Sequence, residues 1–414
     1  MSETSNPTSA APPGGPFRVM VCDDSAVIRG LITRGLEEDP QIQVVTTVPN
    51  GQMAITALSR FDIEVCILDI EMPVMDGLTA LPKMIEAQPD LQVVMASTLT
   101  RRNAEISMRA LAAGAADYLA KPTTSMALNA AADFKAELAQ KVKALGTARR
   151  RAVGGNYRPP TVPASPAPRV FTAVSQAQSL ANPGQAPATS PAAAPARPAF
   201  RPLTPLPAAA KTINLRPATN EVPDILAIGS STGGPQALFK LLGGIGKGIT
   251  QPIFITQHMP ATFTTILAEH IQRSSGMPAC EGADGMVVQG GHIYVAPGDF
   301  HMTVEVQGGQ KVIRLNKNPP ENYCRPSVDP MLRSLVKVYG RKILTTILTG
   351  MGQDGMKGGE AVVAAGGTVI AQDERTSVVW GMPGAVAMAG LCSAVLPLEE
   401  IAPYLRRIAT RTAA

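Results

Sequence analysis

Cysteine is scarce in this chain of 414 residues, which has only Cys22, Cys66, Cys280, Cys324 and Cys392. The number is odd, no two lie in a Cys-x-x-Cys spacing, and no Cys/His cluster occurs. A disulfide framework and a structural zinc are therefore not expected, and a reducing compartment is. No stretch approaches the ~20 continuous apolar residues of a membrane span. The first sixteen residues are rich in Ser, Pro, Ala and Gly, and lack the basic and apolar regions of a secretory signal. Membrane insertion and secretion are thus set aside, and a cytoplasmic protein is expected. Acidic residues are missing between Glu137 and Glu221, a stretch holding eleven basic ones. Removing those eleven from the formal charge of +5 leaves the rest of the chain at −6. The basicity belongs to one segment, so the net charge does not point to nucleic acid.

What remains is a composition of folded domains, 17% charged and 45% apolar, in a chain long enough for two or three of them. Gly154 to Pro217 contains 14 Pro and 15 Ala in 64 residues, without apolar periodicity. Such a segment buries too little surface to offset its chain entropy and reads as a disordered linker. The expected division is a disordered tail over 1–16, a first domain over 17–138, a linker over 139–221 (disordered from about 150), a second domain over 222–407, and a tail over 408–414.

The first domain alternates apolar runs with helix-like stretches. Arg18 to Cys22 leads into Asp23-Asp24-Ser25, Val65 to Leu68 into Asp69, Val93 to Ala96 into Ser97, and Asp117 to Ala120 into Lys121-Pro122. Repeated βα units predict a parallel sheet covered by helices, an α/β fold whose ligands bind outside the carboxyl ends of the strands. Asp23, Asp24, Asp69, Ser97 and Lys121 would all sit at that edge. Clustered carboxylates suit Mg²⁺, and a facing ammonium would offset charge developing on a phosphoryl group at Asp69. Together with Met72-Pro73 and Asp76-Gly77, these residues resemble the receiver domain of two-component response regulators over about residues 17–138. The resemblance implies a flavodoxin-like sheet, Asp69 as phosphoacceptor, and Ser97, Tyr118 and Lys121 as switch residues. It also implies Mg²⁺ held directly by Asp24 and Asp69, through water by Asp23, and by the backbone carbonyl of Glu71.

The second domain opens on the apolar run Asp224 to Gly229, followed by Ser230-Ser231-Thr232-Gly233-Gly234-Pro235 and a helix-like stretch. Gly229-x-Ser231-x-Gly233 fits a nucleophile elbow between strand and helix, and it equally fits a Gly-rich phosphate loop at a helix start. Histidine bears on the choice. His258 ends the apolar run Pro252 to Gln257, whereas His270 lies in a helix-like stretch and His292 and His301 flank Ile293 to Asp299. Asp354 follows the run Ile343 to Thr349. Three strands would then end in Ser, His and Asp on one rim; Asp284, Asp299, Asp329 and Asp373, also in loops, stay open as the acid.

Gly229 to Gly234, Thr256-Gln257-His258-Met259-Pro260, Tyr294 to Asp299, Arg325-Pro-Ser-Val-Asp329, Thr349 to Gly355 and Gly381-Met-Pro-Gly384 resemble the catalytic domain of chemotaxis protein-glutamate methylesterases, from about Val222 to Arg407. The receiver-first order agrees with that family. The resemblance implies a second doubly wound parallel-sheet domain, with Ser231 as nucleophile, His258 as general base then acid, and Asp354 fixing the imidazole tautomer. The backbones of Thr232 and Met351 would steady the oxyanion, and no metal would serve the esterase site. It further implies hydrolysis of glutamate γ-methyl esters and deamidation of glutamines on methyl-accepting chemoreceptors, with a chemotaxis histidine kinase as phosphodonor. One departure is the linker, longer than is usual in the family: ~64 flexible residues span roughly 45 Å root-mean-square. That lowers the effective concentration of one domain at the other, so weaker autoinhibition is expected. The alternatives are a receiver-regulated transcription factor and a catalytically silent receptor-binding module.

Overall fold

A computed structural model describes residues 14–98, 100–121, 128–153, 213–217, 219 and 221–410. The expected terminal tails and the Pro/Ala-rich linker fall largely outside these residues, as does Pro122.

Strands β1 (Phe17–Cys22), β2 (Ile42–Val48), β3 (Val65–Asp69), β4 (Gln92–Ser97) and β5 (Asp117–Ala120) form one five-stranded sheet in the order β2-β1-β3-β4-β5. All neighbours are parallel. Helices α1 (Ala26–Glu37), α2 (Gly51–Leu58), α3 (Gly77–Ala87), α4 (Arg101–Ala112) and α5 (Leu128–Ala152) connect or follow the strands. Short polar side chains start them: Ser25 accepts from Ile28 N–H, Asp76 from Thr79 N–H and Thr100 from Asn103 N–H, satisfying amides that a helix leaves unpaired. β1 and β3 are buried throughout, as expected of strands covered on both faces. The strand order reverses between β1 and β3, so the crevice beyond their carboxyl ends is the binding position of such a sheet.

The domain boundary expected at residue 138 lies too early. α5 continues to Ala152, burying Leu138, Val142 and Leu145. Its last turns are fastened by charge. Arg150 grips the wholly buried Glu64 through Nε at 2.6 Å and Nη2 at 2.8 Å, Arg149 reaches Asp90 at 2.5 Å, and Arg18 N–H donates to Glu64 Oε2 at 2.9 Å. The basic run that reads as solvated linker is therefore partly structural, because the acids it answers lie some 60 to 85 residues earlier in sequence.

The second sheet has seven strands in the order β14-β13-β12-β6-β7-β9-β8, all parallel. These are β6 (Ile225–Ser230), β7 (Ile253–Gln257), β8 (Ala279–Glu281), β9 (Ile293–Val295), β12 (Ile343–Ile347), β13 (Thr368–Gln372) and β14 (Ala394–Leu396). An antiparallel hairpin, β10 (His301–Gln307) and β11 (Gln310–Asn316), stands apart. The helices are α6 (Gly234–Ile245), α7 (Ala261–Ser275), α8 (Val328–Tyr339), α9 (Met356–Ala364), α10 (Met382–Met388) and α11 (Leu398–Ala409). From β6 the chain adds β7, sets β8 at the edge and β9 between them, then returns to add β12, β13 and β14 on the other side, which puts a reversal between β6 and β12. The segment 213–217 belongs with this domain, not with the linker: Ile213 packs on its core and Arg216 N–H donates to Cys392 O at 2.8 Å. α11 likewise runs past the expected end at 407.

The two sheets fall in one compact unit. A single apolar cluster runs from Met108 and Tyr118 of the first to Phe263 and Ile266 of the second. No helix among the described residues is long and apolar enough to cross a membrane. Replacing Glu64→Ala should cost about 3–5 kcal/mol, because it leaves guanidinium charge without its buried partner. Denaturant unfolding of the full chain tests this, and a loss below about 1 kcal/mol would mean that α5's last turns are not held by this pair.

Candidate active site

Ser231 follows β6 directly, in a turn whose shape depends on glycine. Gly233 has φ of +73°, in the left-handed region, and a Cβ on Gly234 would meet Gln257 Oε1 at 2.0 Å. Both constraints exclude ordinary side chains. The turn is braced on either side. Ser231 N–H donates to Thr349 O at 3.0 Å, Thr349 Oγ1 to Thr232 O at 2.9 Å, and His258 N–H to Ser230 O at 3.2 Å. The buried Gln257 joins the loops after β6 and β7, accepting from Ser230 Oγ at 2.6 Å and donating to Ser231 O at 2.9 Å.

His258 follows β7 directly, and its Nε2 lies 2.7 Å from Asp354 Oδ2. A carboxylate only accepts, so Nε2 carries the hydrogen and Nδ1 is left as the basic nitrogen of the neutral ring. Asp354, 1% exposed, takes five further donors. Asn322 Nδ2, Ser327 Oγ, Asp329 N–H and Gly355 N–H reach Oδ1 at 2.8–3.1 Å, and Val328 N–H reaches Oδ2 at 2.7 Å. Val328 and Asp329 are the first residues of α8, so the carboxylate also caps a helix N-terminus, where negative charge is favoured. Burial pushes the Asp354 carboxyl up, but its bonds to His258, Val328 and Ser327 outweigh burial and hold it below the usual range. Burial likewise works against a charged imidazole, yet the hydrogen bond His258 donates to the Asp354 carboxylate wins and raises His258 to about 10.

The other acids are engaged elsewhere. Asp284 pairs with Arg314, Asp299 with Arg325 and Lys317, and Asp373 with Thr376. Asp329 accepts from Gly355 and Gly358 N–H at the start of α9. His270 lies beside Phe239, His292 meets Cys280, and His301 bonds Pro319 O. Of the four histidines, His258 alone meets a carboxylate among the described residues. Thr232 and Met351 flank the serine closely. A Cβ on Gly350, the residue before Met351, would lie 2.9 Å from Ser231 Cβ. The N–H groups of Thr232 and Met351 have no acceptor among the described residues. Three contributors carry no family-independent mark in the sequence: Asn322, Ser327 and Cys324, whose Sγ lies 3.3 Å from His258 Nδ1. They come from a loop before α8 that folds back onto the strand ends, a return that no local pattern announces.

In the first sheet, Asp23 and Asp69 are buried at the ends of β1 and β3, and Lys121 Nζ lies 2.6 Å from each. Asp23, Asp24 and Asp69 each offer an oxygen within 4.8 Å of the others, a hard-oxygen set that fits a small divalent cation. Burial and the Asp23 charge raise the Asp69 carboxyl, against the pull of Lys121. Glu71 is exposed two residues beyond β3. Ser97 Oγ meets Ser107 Oγ at 3.2 Å, and the Tyr118 ring stacks on Phe263 at 4.5 Å between centroids.

A phosphoacceptor-type crevice on one sheet and a serine, histidine and aspartate at the reversal point of another define a hydrolase domain coupled to a receiver. Comparison with known proteins carries this to a family. Residues 226–405 match the CheB methylesterase family model, and 19–133 match that of the response regulator receiver domain. The chain is 56% identical to protein-glutamate methylesterase/protein-glutamine glutaminase 1 of Rhodospirillum rubrum, over 99% of this chain and 100% of that protein. It is also 56% identical to the protein-glutamate methylesterase/protein-glutamine glutaminase of Azospirillum brasilense, over 99% of this chain and 96% of that protein. A solved structure, the Thermotoga maritima CheB methylesterase catalytic domain, is 41% identical over 45% of this chain and 98% of its own, with a TM-score of 0.44. The chain belongs to the protein-glutamate methylesterase/protein-glutamine glutaminase family, and is a carboxylic-ester hydrolase with a receiver domain.

With His258 raised to about 10, a hydrolytic cycle that used its neutral ring would be pH-dependent. Activity should climb from pH 7 toward pH 10, since only the neutral imidazole accepts a proton. Asp354→Asn should lower kcat by about four orders of magnitude through the wrong tautomer, and move the residual profile to lower pH. Superimposable pH profiles for the variant and the parent enzyme would contradict this coupling.

Proposed function

We propose that the enzyme hydrolyses glutamate γ-methyl esters on chemoreceptors, and deamidates glutamines there, by a Ser231–His258–Asp354 mechanism under the control of Asp69 phosphorylation. The observation that carries the reading is the His258–Asp354 bond: it leaves the basic nitrogen of a buried imidazole free of the carboxylate, on the rim where Ser231 is presented. In the first half, Nδ1 takes the Ser231 hydroxyl proton as Oγ attacks the ester carbonyl. The tetrahedral oxyanion is steadied by the unpaired N–H groups of Thr232 and Met351. The imidazolium then protonates the departing methoxide, and methanol leaves an acyl-enzyme. In the second half, water gives its proton to the same nitrogen, attacks the acyl carbon, and releases glutamate with Ser231 reprotonated. With a glutamine substrate ammonia departs in place of methanol, through the same acyl-enzyme.

In the receiver, Mg²⁺ held by Asp23, Asp24 and Asp69, with the carbonyl of Glu71, would neutralise phosphoryl oxygens during transfer from a chemotaxis histidine kinase. Lys121 already faces Asp69 and would pair with the phosphoryl group, drawing Ser97 toward it. Control passes through the docked face. Tyr118 stacks on Phe263 in the first turn of α7, just beyond His258. Gln236, in the first turn of α6 just beyond Ser231, donates to Leu111 O in the last turn of α4 and to Ala115 O in the connection to β5. Both helices that begin at catalytic loops are thus covered by the receiver, which supports a resting state of restricted access despite the long tether. A chemoreceptor substrate and a kinase phosphodonor would both put the protein in the cytoplasm.

Two outcomes test the reading. Ser231→Ala should lower methanol release from methylated receptor by roughly 10⁴ or more with folding intact; an inactive Ser230→Ala beside an active Ser231→Ala would move the nucleophile. Tyr118→Ala should raise the resting rate several-fold, since an aromatic pair is worth about 0.5–1.5 kcal/mol beyond its area. It should leave less for a small-molecule phosphodonor to add, while Asp69→Ala should not respond to phosphodonor at all. Equal rates for resting parent, Tyr118→Ala and phosphodonor-treated enzyme would exclude autoinhibition and leave the receiver a recruiting role.

A further inference from the structure

The basic nitrogen of His258 is already occupied. Cys324 Sγ lies 3.3 Å from Nδ1, while among the described residues no hydrogen bond joins Ser231 Oγ to the ring. Since Asp354 holds the hydrogen on Nε2, the neutral ring has one lone pair, on Nδ1, and the thiol is its donor. That lone pair is the one the hydrolytic cycle needs for the serine proton.

The thiol is placed there by a turn with an unusual backbone. Asn322 and Tyr323 both have positive φ, 52° and 63°, although neither is glycine. Residues 321 and 324 close the turn by exchanging backbone hydrogen bonds, Glu321 N–H to Cys324 O at 3.2 Å and Cys324 N–H to Glu321 O at 2.9 Å. Non-glycine residues persist in this region only where surrounding contacts over-determine them. Here Asn322 Nδ2 donates to Asp354 Oδ1 and to Asp329 Oδ2, both at 2.9 Å, and Glu321 pairs with Arg333 at 2.5 Å. Tyr323 is wholly exposed, so nothing about its own side chain calls for the conformation. The strained turn serves its two neighbours: Asn322 faces the acid of the catalytic pair, and Cys324 faces the base.

We infer, on the serine-hydrolase reading above, that Cys324 is a positioning residue whose thiol fixes the resting imidazole and competes with Ser231 Oγ for Nδ1, so that it restrains the rate. The serine can transfer its proton only when the thiol releases the ring. The groups facing the ring are Asp354 through Nε2 and Cys324 through Nδ1, with Asp329 beside Asp354 across Asn322. A thiol that donates to Nδ1 favours the neutral ring, because the protonated nitrogen has no lone pair to accept it, so removing the thiol frees the lone pair for Ser231 and moves the ring's titration upward.

The experiment measures methanol release by the full-length chain, resting and with phosphodonor, from a receptor cytoplasmic fragment carrying glutamate γ-methyl esters. Cys324→Ala and Cys324→Val remove the donor with different volumes. Both should raise kcat on the alkaline plateau, where the ring is neutral, by about three- to tenfold with KM little changed, and shift the acid limb of the profile to higher pH. Cys324→Ser restores a donor and should lie between Cys324→Ala and the parent. A purely structural thiol would instead give variants ordered by volume, with kcat unchanged or lowered and the pH profile in place, and that result overturns the inference. Methanol release that persists in Ser231→Ala and vanishes in Ser231→Ala/Cys324→Ala would also overturn it, by making the thiol a nucleophile. Full activity in both Ser231→Ala and the double variant would instead sink the serine reading itself, a failure distinct from that of Cys324.

Discussion

Six donors converge on the carboxylate of Asp354, and the geometry of the catalytic rim follows from where that buried charge is held. An ionised acid out of water is costly unless its oxygens are satisfied. This one is satisfied by groups that must themselves be in place: the first amides of α8, a serine and an asparagine from the loop before that helix, and the imidazole of His258. Asp329 in α8 returns the arrangement by capping α9, which begins just after Asp354. The two aspartates interlock two helix starts, so neither loop can drift without exposing unpaired amides. A tautomer fixed in this way ties the chemistry of Nδ1 to the folding of residues 321 to 358.

The same rule of sheet architecture acts twice. In each domain the strand order reverses beside the site, and the loops leaving adjacent strands there diverge to opposite faces, opening a crevice. In the first sheet the crevice receives carboxylates and a lysine, in the second a serine, a histidine and an aspartate. The chemistry differs because the loops differ; the position does not. Communication between the crevices is short in physical terms. α6 and α7 start at the catalytic loops, and their first turns carry Gln236 and Phe263, which α4 and β5 of the receiver contact. The receiver thus touches directly the helices that begin beside Ser231 and His258.

Much of this was legible in the chain before folding. Buried parallel strands read as short apolar runs, and because ligand-bearing loops follow such strands, Asp23, Asp69, Ser231 and His258 stood out as candidates by position, with Asp354 one of five loop aspartates. Glycines marked the turn at 233 and 234 because no other residue fits there. The Pro/Ala-rich composition over 154–217 marked a break between the two apolar patterns, although its last residues, 213–217, pack with the second domain. These are local properties: periodicity, turn chemistry and the capacity of a segment to bury surface.

Tertiary structure decided what depends on distant partners. The basic residues at 149 and 150 looked like the start of a linker, and became the end of a helix because Glu64 and Asp90 lie beneath them. Four loop aspartates rivalled Asp354 on sequence, and only the packing of α8 against the strand ends gave one of them the imidazole. Cys324 bore no mark at all, since its role rests on a turn pinned by Asn322 to a carboxylate 32 residues further along the chain. Sequence sets which residues stand at strand ends, because strands and turns are local; which nitrogen, carboxylate and thiol then face one another is set by long-range closure, where burial makes every unpaired polar group expensive.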